Sequence, residues 1–214
     1  MIGMIKSLIL TLVILFVSSC GNFFTFEQTQ QLIKDNIIGK PDIEVTKELF
    51  DSFEYSFAKI KLGRSSPIIV VLVSAEKGLM HWISADKVSF YTVHGKIIKT
   101  SGLDHDINYL DYPTRQKISY MLNIDQAYQI DFLNPQLYSA LSLSRFEFQD
   151  NQIINYLEDD IQTVFYSEYL SMPQINWRYT NQYIWSSDFN RVIKTYQKLH
   201  PFTDEIVMEF YYKN

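Results

Sequence analysis

The feature that most constrains the fold is a succession of short strand-like segments separated by a few turn-forming residues. From residue 55 onwards these segments are β-branched, aromatic or alternating, and Gly, Pro, Asn and Asp lie between them. Period-two alternation with closely spaced turns is typical of antiparallel strands that follow one another along the chain. The predicted strands are 55–62, 68–73, 79–84, 88–93, 96–100, 116–121, 127–132, 137–148, 153–157, 163–170, 177–185, 191–199 and 205–212.

Some segments allow a finer interpretation. The continuous run Ile68 to Val73 predicts a central strand buried on both faces. His94-Gly95 between two apolar runs predicts a two-residue hairpin, whereas the polar stretch 102–114 predicts a loop. Asp150-Asn151 predicts a further turn, and residues 155–164 are also compatible with a short helix.

One helix is predicted before the strands, over about residues 26–38. Thr25 with Gln28 forms a capping-box pattern, and Gly39 and Pro41 end the helical spacing. The chain is therefore predicted to be all-β, an antiparallel meander folded into an open barrel or a sandwich, with one N-terminal helix. Either arrangement would protect the sheet edges from pairing with other chains.

The N-terminus predicts export and acylation. Lys6 precedes a short apolar run, 8–17, and Val17-Ser18-Ser19-Cys20 matches the bacterial lipobox. We therefore predict a cleaved signal peptide over 1–19 and a mature domain over 20–214, beginning with a short tether and the helix. Cys20 would carry diacylglycerol and an amide-linked acyl chain such as palmitate, and several chains together anchor stably. The alternatives are an uncleaved helix with a buried cysteine, or secretion without acylation.

Composition and motifs exclude several function classes. The net charge is −5 and no basic stripe is present, so nucleic acid is not an expected partner. The four histidines, His81, His94, His105 and His200, lack ligand spacing, so neither a metal nor a cofactor is predicted. Asp104-His105-Asp106 is interpreted as a solvated loop and Glu158-Asp159-Asp160 as an acidic turn, so no catalytic residue is assigned.

Aromatic residues are the better indication of a binding site. The chain has 15 Phe, 15 Tyr and 3 Trp, and flat aromatic faces can bind carbohydrate. Trp177, Tyr179, Tyr183 and Trp185 alternate along one predicted strand, so they share one face. These four residues are candidates for glycan binding if that face is exposed, and core residues if it is buried.

Two parts of the chain resemble the YjbF/GfcB family of group 4 capsule polysaccharide lipoproteins. The resemblance rests on Ala58-Lys59-Ile60, the run 67–72, Trp82-Ile83-Ser84, the hairpin 94–103 and the C-terminal segment 177–202. The family often has Arg where this chain has Lys96. The resemblance implies a β-rich lipoprotein of the outer membrane or periplasm, encoded with machinery that exports exopolysaccharide. It implies no catalytic residue.

Three functions remain open from the sequence. The first is a non-enzymatic accessory factor that faces the periplasm and binds polysaccharide or another export protein. The second is a glycan-modifying enzyme, which would show convergent acids in a cleft. The third is a carrier of lipid or lipoprotein, which would show a large apolar cavity inside the barrel.

The lipobox generates a direct prediction. Cys20→Ser should leave the protein unacylated and shift it out of the membrane fraction, because the thiol is the site of lipid attachment. Gly21 follows Cys20 where an inner-membrane retention signal would usually place Asp, so wild-type protein should fractionate with the outer membrane. Metabolic labelling with a fatty acid checks this, and labelled Cys20→Ser protein would contradict it.

Overall fold

The computed structural model describes residues 44–114 and 122–213. In this part of the chain, twelve antiparallel strands close into a barrel. The strands are β1 Phe57–Leu62, β2 Ile68–Glu76, β3 Leu79–Ser84, β4 Ser89–Val93, β5 Lys96–Ser101, β6 Ile107–Tyr109, β7 Gln126–Leu133, β8 Gln136–Tyr156, β9 Asp159–Met172, β10 Trp177–Ser186, β11 Arg191–Gln197 and β12 Ile206–Tyr211. The predicted signal peptide, Cys20, the helix 26–38 and the strand 116–121 lie outside the described residues.

The barrel closes because the first strand pairs with the last. β1 and β12 pair antiparallel over six residues, from Phe57 opposite Tyr211 to Leu62 opposite Ile206. Every other strand pairs with its neighbours in sequence, so the predicted antiparallel all-β meander is confirmed. The predicted open barrel or sandwich is corrected to a closed barrel, in which the main-chain groups at both edges of the sheet find partners.

The longest hairpin differs from the prediction. β8 runs for 21 residues without the predicted turn at Asp150-Asn151. A β-bulge lies there instead, because the pairing of β8 with β9 shifts register between Phe148 and Asp150. The chain turns at Leu157 and Glu158, both with positive φ, so the alternative helix over 155–164 is wrong. The predicted loop 102–114 also contains a short strand, β6.

A short helix, α1 (Lys47–Ser52), was not predicted and packs on the outside of the barrel. Thr46 caps it, since its hydroxyl accepts a hydrogen bond from the Leu49 N–H at 3.2 Å. Leu49 and Phe50 pack with Phe57 and Ile69, which point outward from β1 and β2. This cover explains why β2 is apolar on both faces near its start.

Burial of β2 on both faces does not extend along the whole strand. Val70 is fully buried inside the barrel, but Val73 is 53% exposed. The prediction of a strand buried on both faces is therefore wrong at that end of the run, since α1 covers only the first part of the strand.

Large side chains fill the interior of the barrel. The largest fully buried side chains are Trp82, Tyr183, Phe57, Phe90, Lys96, Phe132, Phe146, Phe210, Ile60, Ile97 and Ile107, of which Phe57 belongs to the outer cluster under α1. The indole N–H of Trp82 donates to Thr92 Oγ1 at 2.9 Å, so even this buried polar atom is satisfied.

The predicted hairpin at His94-Gly95 is confirmed. Both residues have positive φ, 49° and 82°, as a tight two-residue turn between twisted strands requires. The turn packs closely against β11, and a Cβ on Gly95 would lie 2.6 Å from Val192 Cγ1. Gly95 is therefore needed both for its backbone conformation and for the close approach of the turn to β11.

Gly95→Val should lower the free energy of unfolding by about 3 kcal/mol or more. Backbone strain contributes ~1–3 kcal/mol and overpacking against Val192 a similar amount. Gly102→Val is the matched control, because Gly102 also has positive φ, at 95°, but the nearest atom to its Cβ would be 3.4 Å away. Urea denaturation measures both, and equal losses would show that the contact with β11 contributes nothing.

Candidate functional site

A buried ion pair lies inside the barrel. Lys96, the first residue of β5, reaches Glu168 in the middle of β9, and the two side chains are 2% and 0% exposed. Lys96 follows the Gly95 turn directly, so the close packing of that turn on β11 fixes where the ammonium group enters the interior. Neither residue was singled out from the sequence as a partner of the other.

The Glu168 carboxylate accepts a full set of hydrogen bonds. Oε1 accepts from the Lys96 ammonium and from Ser144 Oγ at 2.6 Å. Oε2 accepts from Tyr183 Oη at 2.7 Å and from Asn181 Nδ2 at 3.0 Å. Burial alone would raise the pKa of Glu168, but the Lys96 charge and these hydrogen bonds outweigh burial and hold the pKa below its usual value.

Aromatic rings surround the other half of the pair. The Lys96 ammonium lies 4.9 Å from the Tyr109 ring centroid and 5.5 Å from that of Tyr112. Burial alone would lower the pKa of Lys96, but the attraction of Glu168 raises it, so the side chain stays charged. The pair, its hydrogen-bond donors and these two rings form what we call the Lys96–Glu168 network.

Gln197 connects the network to the β4–β5 hairpin. Its Nε2 donates to Gly95 O at 2.8 Å and to Thr195 Oγ1 at 2.9 Å, and its Oε1 accepts from the Ile97 N–H at 2.9 Å. One side chain therefore binds the backbone on both sides of Lys96 and holds β5 against β11 across the barrel.

The Lys96–Glu168 pair has almost no contact with solvent. A catalytic acid must reach a substrate or a water molecule, whereas Glu168 is fully buried and has four donors. The void beside the network, lined by Lys96, Tyr109 and Asn181 among others, has a volume of only about 10 Å³.

The four aromatic candidates share one face of β10, as predicted, and that face points into the barrel. Tyr183 is fully buried, and Trp177 and Trp185 pack against the core. Tyr179 donates to Glu205 Oε2 at 2.7 Å and stacks on Trp177 with ring centroids 6.4 Å apart. Glycan binding by the four residues stays a prediction. Tyr183 has no exposed surface with which to contact a glycan.

In each of the two acidic clusters, one carboxylate bonds to a neighbouring group of its own loop or hairpin. The Asp106 carboxylate accepts from the Gly102 and Leu103 N–H groups at 2.8 and 3.1 Å. Asp160 accepts from Asn155 Nδ2 at 3.2 Å across the β8–β9 hairpin. Among residues 44–114 and 122–213, no three His, Cys, Asp or Glu side chains lie close enough together to hold a metal ion.

A pocket of about 390 Å³ lies at the end of the barrel where α1 packs, and we call it the end pocket. Its walls are α1, the β8–β9 turn, the β10–β11 turn and the C-terminal end of β12. It is lined by Lys47, Phe50, Tyr156, Leu157, Asp159, Asp188, Phe189, Arg191 and Tyr212. The sequence pattern did not reveal this pocket, because its residues come from four separate segments of the chain.

The aromatic lining of the end pocket is held in place by hydrogen bonds. Tyr156 Oη donates to Phe210 O at 2.7 Å, and Tyr212 Oη donates to Val192 O at 3.1 Å. Burial raises the pKa of the Tyr212 hydroxyl, which keeps this donor protonated. Phe189 is 48% exposed, and its ring centroid lies 5.7 Å from that of Tyr156.

Two further bonds fix the β10–β11 turn against the β8–β9 hairpin. The Ser187 N–H donates to Gln162 O at 3.0 Å, and the Gln162 N–H donates to Asp188 Oδ2 at 3.0 Å. The Arg191 guanidinium lies over the Tyr212 ring, 5.0 Å from its centroid. The end pocket is therefore formed by groups that already have defined positions.

The fold and its sites define the class of the protein: a closed antiparallel β-barrel with a packed interior, a buried ion pair and a pocket at one end. Within the described residues, no helix has the length and apolar character needed to cross a membrane. The chain belongs to the family described as group 4 capsule polysaccharide lipoprotein gfcB, YjbF, whose model matches residues 30–210. The family predicted from the sequence is thus confirmed, and a lipoprotein family implies association with membranes.

Two similar proteins are informative. The uncharacterized lipoprotein YjbF of Escherichia coli (strain K12) is 26% identical over 91 residues, which make up 42% of each chain. The match therefore spans less than half of that relative. The crystal structure of the hypothetical lipoprotein YmcC from Escherichia coli (K12) has a TM-score of 0.69 at 18% identity, covering 91% of this chain and 99% of that one. The likeness to YmcC shows a shared fold.

Breaking the buried pair should be costly. Lys96→Met and Glu168→Gln should each lower the free energy of unfolding by about 3–5 kcal/mol, because each leaves a buried charge without its partner. The double variant should lose less than the sum of the two, since no unpaired charge remains.

The exposed pair on α1 provides the control. Lys47 and Asp51 are 3.6 Å apart and more than half exposed, so Lys47→Met should cost ~0–1 kcal/mol. Urea denaturation compares all four variants. Losses at Lys96 and Glu168 no larger than the loss at Lys47 would contradict a stabilising role for the Lys96–Glu168 network.

Proposed function

We propose that this protein is a lipid-anchored accessory factor in the production or export of capsule or exopolysaccharide, and that it acts by binding rather than by catalysis. Family membership supports the link to capsule polysaccharide. The observation that carries the non-enzymatic part is the state of Glu168, which is fully buried and bonded to four donors.

The geometry gives less support to the two other functions. Glycoside cleavage commonly needs two carboxyl groups facing one substrate, with separations of about 5–9.5 Å and tuned pKa values. Asp106 and Asp160 instead bond to their own loop or hairpin. The two carboxylates that line the end pocket, Asp159 and Asp188, are accompanied there by Lys47 and Arg191. A carrier of lipid needs an apolar cavity, whereas aromatic and aliphatic side chains fill the described barrel interior.

The anchor follows from the N-terminal motif. Cys20 is the proposed site of acylation, and Gly21 after it favours transport to the outer membrane, with the domain facing the periplasm. A protein held at that surface can contact both a growing or exported polysaccharide and other export proteins, which are its proposed partners.

Of the four aromatic residues of β10 that are predicted to bind glycan, the partly exposed ones remain the candidates for direct contact. Trp177 and Tyr179 stack with a 13° angle between ring planes, and the Lys198 ammonium lies 5.8 Å from the Tyr179 centroid. Trp185 is also partly exposed, and Tyr183 supports the others from within the core. Substitution of Trp177 or Tyr179 would test whether these faces contribute to binding.

Deletion of the gene should reduce or alter the secreted polysaccharide, and the purified full chain should leave that polymer intact. Secreted sugar and its chain-length distribution are measured in the deletion strain, in the strain complemented with wild type, and in the strain complemented with Cys20→Ser. Normal polysaccharide in the deletion strain would refute the proposed role. Shortening of the polymer by purified protein, lost on neutralising a single acid, would favour an enzyme instead.

A further inference from the structure

The end pocket has the size and order of a small-ligand site. Its volume of about 390 Å³ falls within the ~300–1,000 Å³ range of ligand pockets. The hydroxyls of Tyr156 and Tyr212 are bonded to backbone carbonyls, and the β10–β11 turn is bonded to the neighbouring hairpin at Gln162. A ligand would therefore meet side chains that are already ordered, which lowers the entropic cost of binding.

The lining combines aromatic faces with hydrogen-bonding groups. Phe50, Tyr156, Phe189 and Tyr212 contribute rings, and Phe189 leaves almost half of its surface open in a turn, where no strand packing requires an aromatic residue. Such a ring offers a flat apolar surface to the C–H face of a sugar ring. Sugar hydroxyls at the ring edge need both donors and acceptors nearby.

The charged groups of the pocket can satisfy those hydroxyls. The Arg191 guanidinium stacks on Tyr212 and, among the described residues, makes no ion pair. The Asp188 carboxylate accepts from Gln162 through Oδ2, which leaves Oδ1 for a ligand. Lys47 adds a donor and Asp159 an acceptor, both on exposed parts of the wall.

The balance of charge restricts the ligand class. Two cations, Lys47 and Arg191, face two carboxylates, Asp159 and Asp188, so the pocket suits an uncharged ligand better than a polyanion. Four charged side chains among nine lining residues disfavour an acyl chain, because each would have to lose water without gaining a partner.

We propose that the end pocket binds a neutral saccharide unit of the exported polymer, which stacks on Phe189 and hydrogen-bonds to Arg191 and Asp188. This inference rests on the proposed function and adds to it a site that is separate from the aromatic face of β10. It assigns polymer contact to the barrel end beside α1.

Oligosaccharides released by mild acid from the cell's own secreted polysaccharide are the probe, and dextran oligosaccharides are the unrelated comparison. Isothermal titration calorimetry on the full chain in detergent micelles measures binding. Phe189→Ala and Arg191→Gln should each weaken binding by about 10-fold, which corresponds to ~1.4 kcal/mol. Melting temperatures should stay close to wild type, because Phe189 is exposed in the β10–β11 turn and Arg191 is exposed at the first position of β11.

Matched controls lie elsewhere on the surface. Phe202 is 70% exposed in the β11–β12 connection at the other end of the barrel, and Arg178 is exposed on β10. Phe202→Ala and Arg178→Gln should bind within about twofold of wild type on the same affinity scale. Absence of binding by wild type, or equal affinity of pocket and control variants, would overturn the inference.

Complementation separates this inference from the proposed function. In the deletion strain, the double variant Phe189→Ala/Arg191→Gln should restore less polysaccharide than Phe202→Ala at equal protein level. Full restoration by the double variant would refute the role of the end pocket while leaving the accessory function standing. A deletion strain with normal polysaccharide would refute the accessory function, whatever the calorimetry shows.

Discussion

The rest of the barrel depends on the ion pair between Lys96 and Glu168. Taking both charges out of water costs several kcal/mol each unless the partners and the remaining lone pairs are satisfied. Here Ser144, Asn181 and Tyr183 complete the bonding of the carboxylate, so three strands must keep one register for the pair to be stable. A one-residue slip of any of them would turn its donor outward. The network thus selects one arrangement of the sheet from the many that an apolar interior would allow.

The Gly95 turn also restricts how the strands of the barrel can pack. The turn approaches β11 too closely for any side chain at position 95, and Gln197 binds the backbone on either side of Lys96. Contact between β5 and β11 across the barrel leaves no continuous lumen along that part of the interior. The same contacts that place the ammonium group therefore make the described barrel a solid scaffold, and binding surfaces must lie at its ends or on its outside.

The sequence predicted the strands well and the closure poorly, for a physical reason. Alternation and turn residues such as His94-Gly95 are local signals, so strand order and the hairpin could be predicted from short windows. The pairing of Phe57 with Tyr211 and the meeting of Lys96 with Glu168 join residues far apart in sequence, and no local pattern encodes them. Glu168 was nonetheless detectable in principle, because it is a charged residue between Tyr166 and Leu170 on the inward face of β9. The helix at Lys47–Ser52 was missed because it is shorter than two turns and is stabilised by packing on β1 and β2.

The aromatic residues show what a strand pattern can and cannot predict about a binding face. Trp177, Tyr179, Tyr183 and Trp185 lie on one face because a strand has period two, and in a closed barrel one of the two faces is always interior. The alternation of residues along a strand therefore identifies which side chains share a face. Whether that face is exposed depends on how the sheet closes into a barrel. Aromatic residues in turns escape this constraint, because a turn has no interior face that packing must fill. Phe189 lies in such a turn, beside ordered tyrosines and charged groups that strand packing does not need. Because the Lys96–Glu168 network occupies the interior of the described barrel, the proposed ligand site lies at the barrel end that carries Phe189.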